Sequence, residues 1–230
     1  MNDVLDRNSI LDLADMTVRD VNRTLKAADS GAFTVIHPNG VHALACGLMQ
    51  PISVTVKGHA GYYCAGMNQK ADVLIEGNAG SGVAENMMSG SVRVTGDCSQ
   101  SAAATAHGGL LVIEGDASAR CGISLKGADI VVGGSVGHMS AFMAQAGRMV
   151  VLGDAGEALG DSIYEARLYV RGSVASLGAD CIEKEMREEH IAEVKTLLDQ
   201  AGMDADPASF KRYGSARQLY TFKIDNIDAY

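Results

Sequence analysis

The stretch SVTVKGHAGYYCAGMNQKADVLIEGNAGSGVAENMMSGSVRVTG, residues 53–96, contains one short phrase three times, as SVTVKG, DVLIEG and SVRVTG. The phrase continues downstream as LLVIEG, DIVVGG, RMVVLG and RLYVRG, and its final glycines are Gly58, Gly77, Gly96, Gly115, Gly134, Gly153 and Gly172. Each of the seven units is therefore offset from the next by 19 residues, with no insertion or deletion. Four residues before each Gly stand Val54, Val73, Val92, Leu111, Ile130, Met149 and Leu168, and two before it stand Val56, Ile75, Val94, Ile113, Val132, Val151 and Val170. Residues two apart in a strand share a face, so the phrase is a short, largely β-branched strand burying the same face in every unit.

Two further columns are small throughout. Seven residues after the Gly the chain reads Ala65, Ala84, Ala103, Gly122, Ala141, Gly160 and Ala179, and thirteen after it Ala71, Gly90, Gly109, Ala128, Gly147 and Ala166. Such positions mark corners, or places where backbones approach too closely for a branched side chain. A leucine-rich repeat has a similar length, but its Leu frame and Asn or Cys ladder are missing, and the unit is too short for two helices. The expected fold is all-β: a single-stranded, right-handed parallel β-helix (β-solenoid) of about seven 19-residue coils, with helical caps at the N- and C-terminal ends. At about 4.8 Å per coil, six steps make a core of roughly 29 Å.

The remaining segments read as caps, because an open coil end exposes unpaired strand groups. Residues 1–50 form an N-terminal cap in which Thr17 starts a short helix bearing Val18, Val21 and Leu25, followed by the extended AFTVIHPNG and an irregular turn at Cys46 and Gly47. Residues 51–179 form the β-helix. Asp180 with Glu183 resembles a capping box, opening an amphipathic helix over 180–202 that carries Ile182, Met186, Ile191, Val194, Leu197, Leu198 and Ala201 and stops at Gly202. Residues 203–230 form a tail in which TFKIDN adds one strand.

Composition narrows the function classes. The 230 residues are 47% hydrophobic but only 5% aromatic, with 27 Gly and 3 Pro, which suits an ordered core built from small side chains. A net charge of −9 disfavours nucleic acid and anionic membrane as partners. No apolar run spans a bilayer, and MNDVLDRNSI lacks the basic start and apolar stretch of a secretory signal, so a cytoplasmic location is expected. The five cysteines, Cys46, Cys64, Cys98, Cys121 and Cys181, form no C-x-x-C pair and read as reduced, structural residues.

Candidate chemistry falls back into the repeat. The residues after the repeat glycines, His59, Asn78, Asp97, Asp116, Ser135, Asp154 and Ser173, suggest a calcium ladder, but the column is not uniformly acidic. The nonapeptide pattern of calcium solenoids does not fit this repeat length either, so turn side chains bonding their own backbone are favoured. GNAGSG and GGSVGHMSAFMAQAG look like phosphate loops, yet neither ends in Gly-Lys-Ser and both lie on the solenoid register. The histidines at 37, 42, 59, 107, 138 and 190 form no metal-ligand spacing, and no nucleophile elbow surrounds a Ser. No catalytic, cofactor or metal residue is assigned. The informative site is a surface. Opposite the buried column stand Thr55, Leu74, Arg93, Val112, Val131, Val150 and Tyr169, with Leu152 nearby, so four consecutive coils are apolar where water is expected. Leu74, Val112, Val131, Val150, Leu152 and Tyr169 are the candidate partner interface, and a terminal segment of the same chain is the other cover open to them.

Gly-x-x-Gly recurs at Gly58–Gly61, Gly77–Gly80, Gly134–Gly137 and Gly153–Gly156, with Ser99, Ser118 and Ala175 replacing the second Gly elsewhere. With the 19-residue period, this resembles the GXGXG family: the C-terminal β-helix of the glutamate synthase large subunit, which recurs as the C subunit of formylmethanofuran dehydrogenases. The resemblance runs from about Thr17 to Ala179. A chain that starts at Met1 and carries little beyond the β-helix, and that contains YGSARQLYTF, is most similar to the stand-alone GXGXG subunit of N-methylglutamate synthase (methylamine–glutamate N-methyltransferase). That resemblance implies a structural subunit without cofactor of its own. A class II glutamine amidotransferase-like subunit and an FMN-binding glutamate synthase-like subunit would be its partners, with FMN and an iron-sulfur cluster on the partner side. A formyl-transfer complex and a self-standing β-helix enzyme or ligand-binding protein are the alternatives.

Overall fold

The computed structural model describes residues 9–218, and these form a parallel β-solenoid. The repeat strands are β3 (Ile52–Val56), β4 (Asp72–Ile75), β5 (Ser91–Val94), β6 (Leu110–Ile113), β7 (Lys126–Val132), β8 (Ala146–Val151) and β9 (Arg167–Val170). Each pairs in parallel with the next in a register that places Val54, Val73, Val92, Leu111, Ile130, Met149 and Leu168 side by side. This inward column is buried along its whole length, as the two-residue periodicity requires. A second, minimal ladder of single bridges runs through Ala60, Ala79, Cys98, Ala117, Val136, Ala155 and Val174.

The small column seven residues after each Gly has a sharper cause than a corner. Ala65, Ala84, Ala103 and Ala141 are left-handed, with φ between 52° and 58°, and so are the residues two before and two after each of them: around Ala103, Ser101 has φ 61° and Thr105 φ 55°. Left-handed backbone disfavours bulky side chains and costs roughly 1–3 kcal/mol for a non-glycine residue. Its return is the direction of the amides. Ala103 N–H donates back to Val83 of the preceding coil at 2.8 Å, whereas Ser101 and Thr105 donate forward to Ala119 and Ile123 at 3.0 and 2.9 Å. Alternating left-handed residues thus tie a coil without regular strand to both neighbours and leave its buried amides paired.

The solenoid begins earlier than the repeat shows. The strand β2 (Gly31–Ile36) pairs in parallel with β3, Phe33 against Val54, so the segment expected to be a cap is a further coil with a 21-residue step. The strand β1 (Ser9–Asp12), with no counterpart in the sequence reading, pairs in parallel with β2. Between them α1 (Val18–Ala27) is capped by Thr17 and buries Val21 and Leu25. The Asn22 side chain stands in for a missing coil: its amide donates to Ala43 O at 2.7 Å and its oxygen accepts from Ala45 N–H at 2.8 Å.

The C-terminal end differs from expectation. Residues Cys181–Lys184 are a strand, β10, paired antiparallel with β11 (Lys211–Ser215), and β11 also pairs antiparallel with β9. The helix α2 covers only Glu188–Ala201. Asp180 caps no helix; its carboxylate accepts from the Ser215 hydroxyl at 2.6 Å and Gln218 N–H at 2.8 Å. The apolar Ile182, aligned in the sequence with the helix stripe, sits in β10 and is 43% exposed. Helix termination at Gly202 is as expected, with φ 65°. The C-terminal end of the sheet is therefore closed by an antiparallel strand pair, and α2 lies along a flank rather than across the end. The expected strand TFKIDN lies outside the described residues.

Candidate functional site

The outer face of the sheet carries the column singled out in the sequence, and α2 rests on most of it. Val194, Leu197, Leu198 and Ala201 of α2, with Phe210, form one apolar cluster with Val112, Val131, Val150, Leu152 and Tyr169. Val131, Val150 and Tyr169 have no exposed surface, Val112 keeps 3% and Leu152 8%. Side chains so covered cannot be the contact surface for another protein while α2 is in place. Of the two covers open to them, the chain's own segment occupies the site, because burying these side chains under α2 satisfies the helix's apolar stripe as well.

Polar groups hold α2 at both ends of this contact. Near its start, Glu193 accepts from the Tyr169 hydroxyl at 2.6 Å and pairs with Arg167. Burial alone would raise the Glu193 carboxyl, but the Tyr169 hydroxyl and the Arg167 guanidinium hold it below the ordinary value. At its finish, Arg93 donates to Ala201 O and to the Glu114 carboxylate, the latter at 2.7 Å. This places a cation at the helix C-terminus, where the backbone dipole favours it. In the sequence Arg93 is only an interruption of the apolar column. In the fold it is the boundary of the covered area. Beyond it, Thr55 and the partly buried Leu74 border a shallow recess of about 200 Å³, so Leu74 is the one candidate interface residue that α2 leaves accessible.

The polar column after the repeat glycines has a use of its own. Every side chain of the column except the last, Ser173, accepts from the backbone N–H of its counterpart one coil later: Asn78 from Asp97 at 3.0 Å, Asp97 from Asp116 at 2.9 Å, Asp116 from Ser135 at 2.7 Å and Asp154 from Ser173 at 2.7 Å, with His59 and Ser135 doing the same. The bonds expected to close within each turn instead cross between coils, which explains why Asn, Asp, Ser and His all serve: only an acceptor is required. Among the described residues, no group of three or more His, Cys, Asp or Glu is arranged to hold a metal ion.

No family model matches the chain. It is 59% identical over 226 residues to Protein GlxC of Rhizobium meliloti (strain 1021), a match that spans 96% of this chain and 99% of that protein. The chain belongs to the GlxC family.

In this GlxC-family chain the glycine-rich strings are filled by the solenoid itself. A Cβ on Gly80 would meet Gly61 C at 2.7 Å, and one on Gly137 would meet Ala119 N at 2.6 Å. Neighbouring coils, rather than a phosphate, occupy the space that these glycines open. All five cysteines are buried, and burial pushes the Cys121 thiol up to about 12. The histidines stay apart, although His37 pairs with Asp12 at 2.7 Å and His42 stacks on Tyr62 at 4.5 Å. The His37–Asp12 pair bridges β1 and the end of β2, and no sequence spacing announced it. No helix among the described residues is long and apolar enough to cross a membrane.

Proposed function

We propose that this chain is a non-catalytic structural subunit of a glutamate synthase-like complex, in the manner of N-methylglutamate synthase (methylamine–glutamate N-methyltransferase). It would hold a class II glutamine amidotransferase-like subunit against an FMN-binding synthase subunit, so that a released amine or ammonia passes between them; FMN and the iron-sulfur cluster reside on that partner. The observation that carries the reading is that the glycine-rich repeat, the element shared with the GXGXG family, is occupied by coil-to-coil contacts. What it builds is a rigid body of defined length, suited to spacing two other proteins. Leu74, on the outer face beyond the reach of α2, is the proposed contact.

Affinity isolation of the native chain, with identification of the co-purifying subunits, tests this. Recovery of an amidotransferase-like and a flavin-bearing subunit is expected, with recovery reduced by Leu74→Asp in a chain whose circular dichroism is unchanged. Isolation as an active, cofactor-free monomer would overturn the proposal, and recovery of formyl-transfer subunits would replace it with the corresponding role in a one-carbon complex.

A further inference from the structure

The C-terminal closure creates a recess of about 260 Å³ bounded by β9, β10, β11 and the first turn of α2. Its charge is opposite to that of the chain: five Lys or Arg side chains and two carboxylates line it, in a protein of net charge −9. Three of those cations already have partners, since Arg167 pairs with Glu193, Arg187 with Glu185 and Arg217 with Glu165. The remaining two, Lys184 and Arg212, have no carboxylate within ion-pair distance among the described residues. They are also directly opposite each other in the β10–β11 register. Like charges facing across adjacent strands repel, so this pair is unfavourable unless an anion sits between or beside it. Arg212 is oriented by its Nε donating to Glu185 O at 2.9 Å, which leaves its two terminal nitrogens available.

The recess floor is shaped to admit a ligand. Gly214, two residues from Arg212 on β11 and buried, presents no side chain. A Cβ there would make ordinary van der Waals contacts, 3.7 Å from Ala166 O and 3.9 Å from Lys184 Cε, so no close backbone approach demands this glycine. At the start of α2, His190 accepts from Arg187 N–H at 3.1 Å through Nδ1, and its Nε2 lies 3.6 Å from the Glu189 carboxylate, so this ring is held by the chain's own groups at the edge of the recess. The available donors thus come from two adjacent strands, the Lys184 ammonium on β10 and the terminal guanidinium nitrogens of Arg212 on β11, and they do not lie in one plane. That arrangement suits a tetrahedral oxyanion better than a planar carboxylate, which is satisfied by two coplanar donors.

We propose that this recess binds a small phosphate-class anion, free or as the phosphate group of a metabolite, with Lys184 and Arg212 as its principal ligands. The inference does not rest on the identity of the complex, because binding is measured on the isolated full chain. Titration calorimetry with inorganic phosphate and with pyrophosphate, at low ionic strength and neutral pH, is expected to give saturable binding that weakens with added salt. Lys184→Gln and Arg212→Gln should each weaken it by about tenfold or more, whereas Lys57→Gln, at a remote surface ion pair, should leave it unchanged. Gly214→Ala, whose methyl meets only ordinary contacts, should crowd the site and weaken binding in a folded chain even if a charge variant proves unstable. Absence of saturable binding at millimolar phosphate and pyrophosphate, unchanged affinity in both charge variants, or tighter binding of succinate would each overturn the assignment.

Discussion

Replacing Leu197 by Ala probes whether α2 is an integral cover or an accessory. Leu197 has no exposed surface and packs in the cluster of Val131, Val150 and Tyr169. Removing a buried Leu side chain costs about 2–5 kcal/mol depending on how far the site collapses, and a helix on the flank can settle inward, so about 2–3 kcal/mol is expected. At this chain length that lowers Tm by roughly 5–10 °C if unfolding is cooperative. Hydrogen exchange gives the finer readout: amides of Ile191–Ala201 should lose protection while those of β3 and β4, which lie beyond the reach of α2, keep theirs. Lys195→Ala, on the exposed side of the same helix, should change stability by less than about 0.5 kcal/mol. Val131→Asp should release α2 or unfold the chain, since it buries a carboxylate with no partner, rather than remove a partner from an intact fold. A Leu197→Ala chain with unchanged exchange in α2 and unchanged Tm would refute the packing described.

Other features yield narrower tests. Gly137→Ala drives a methyl to 2.6 Å from Ala119 N and 2.7 Å from Ser118 C. A cost of about 1–3 kcal/mol in urea unfolding is expected. Asp154 accepts from Ser173 N–H and hydroxyl, and these bonds hold its carboxyl below the ordinary value of 3.8. Because the folded value is the lower one, its stabilisation is present above the unfolded value and is lost as pH falls through the folded one. Asp154→Asn, which keeps an acceptor but cannot titrate, should therefore flatten that acid limb of the stability curve. The five buried thiols should react negligibly with a thiol reagent in the native chain and completely in denaturant; rapid native labelling of Cys64 or Cys121 would contradict their burial.

The coil body was legible because its cause is local and repeated. A residue type that recurs every 19 positions at an inward site reports the same environment seven times, so Val54 through Leu168 and the small column through Ala141 needed no knowledge of distant segments. The first coil escaped notice because its 21-residue step breaks the register and because β2 ends at Ile36 without the repeat's Gly. The stretch around Ile182 misled for the opposite reason. Its apolar residues fit a helical stripe, but Cys181–Lys184 lies opposite β11, and an available strand edge offers a complete set of backbone partners that a helical start there would forgo.

By itself, then, the sequence determined the solenoid, its inward columns and the existence of an apolar outer stripe that needed a cover. Which body covers that stripe was decided only in three dimensions, since Val131 and Leu197 are far apart in the chain and hydrophobic patterning states that a face must be buried without naming its partner. The same holds for Asn22 standing in for a coil and for Lys184 facing Arg212. Both depend on segments brought together by strand pairing and the ends of the stack, where the repeat no longer supplies a neighbour and each contact must be made by a residue found nowhere else in the pattern.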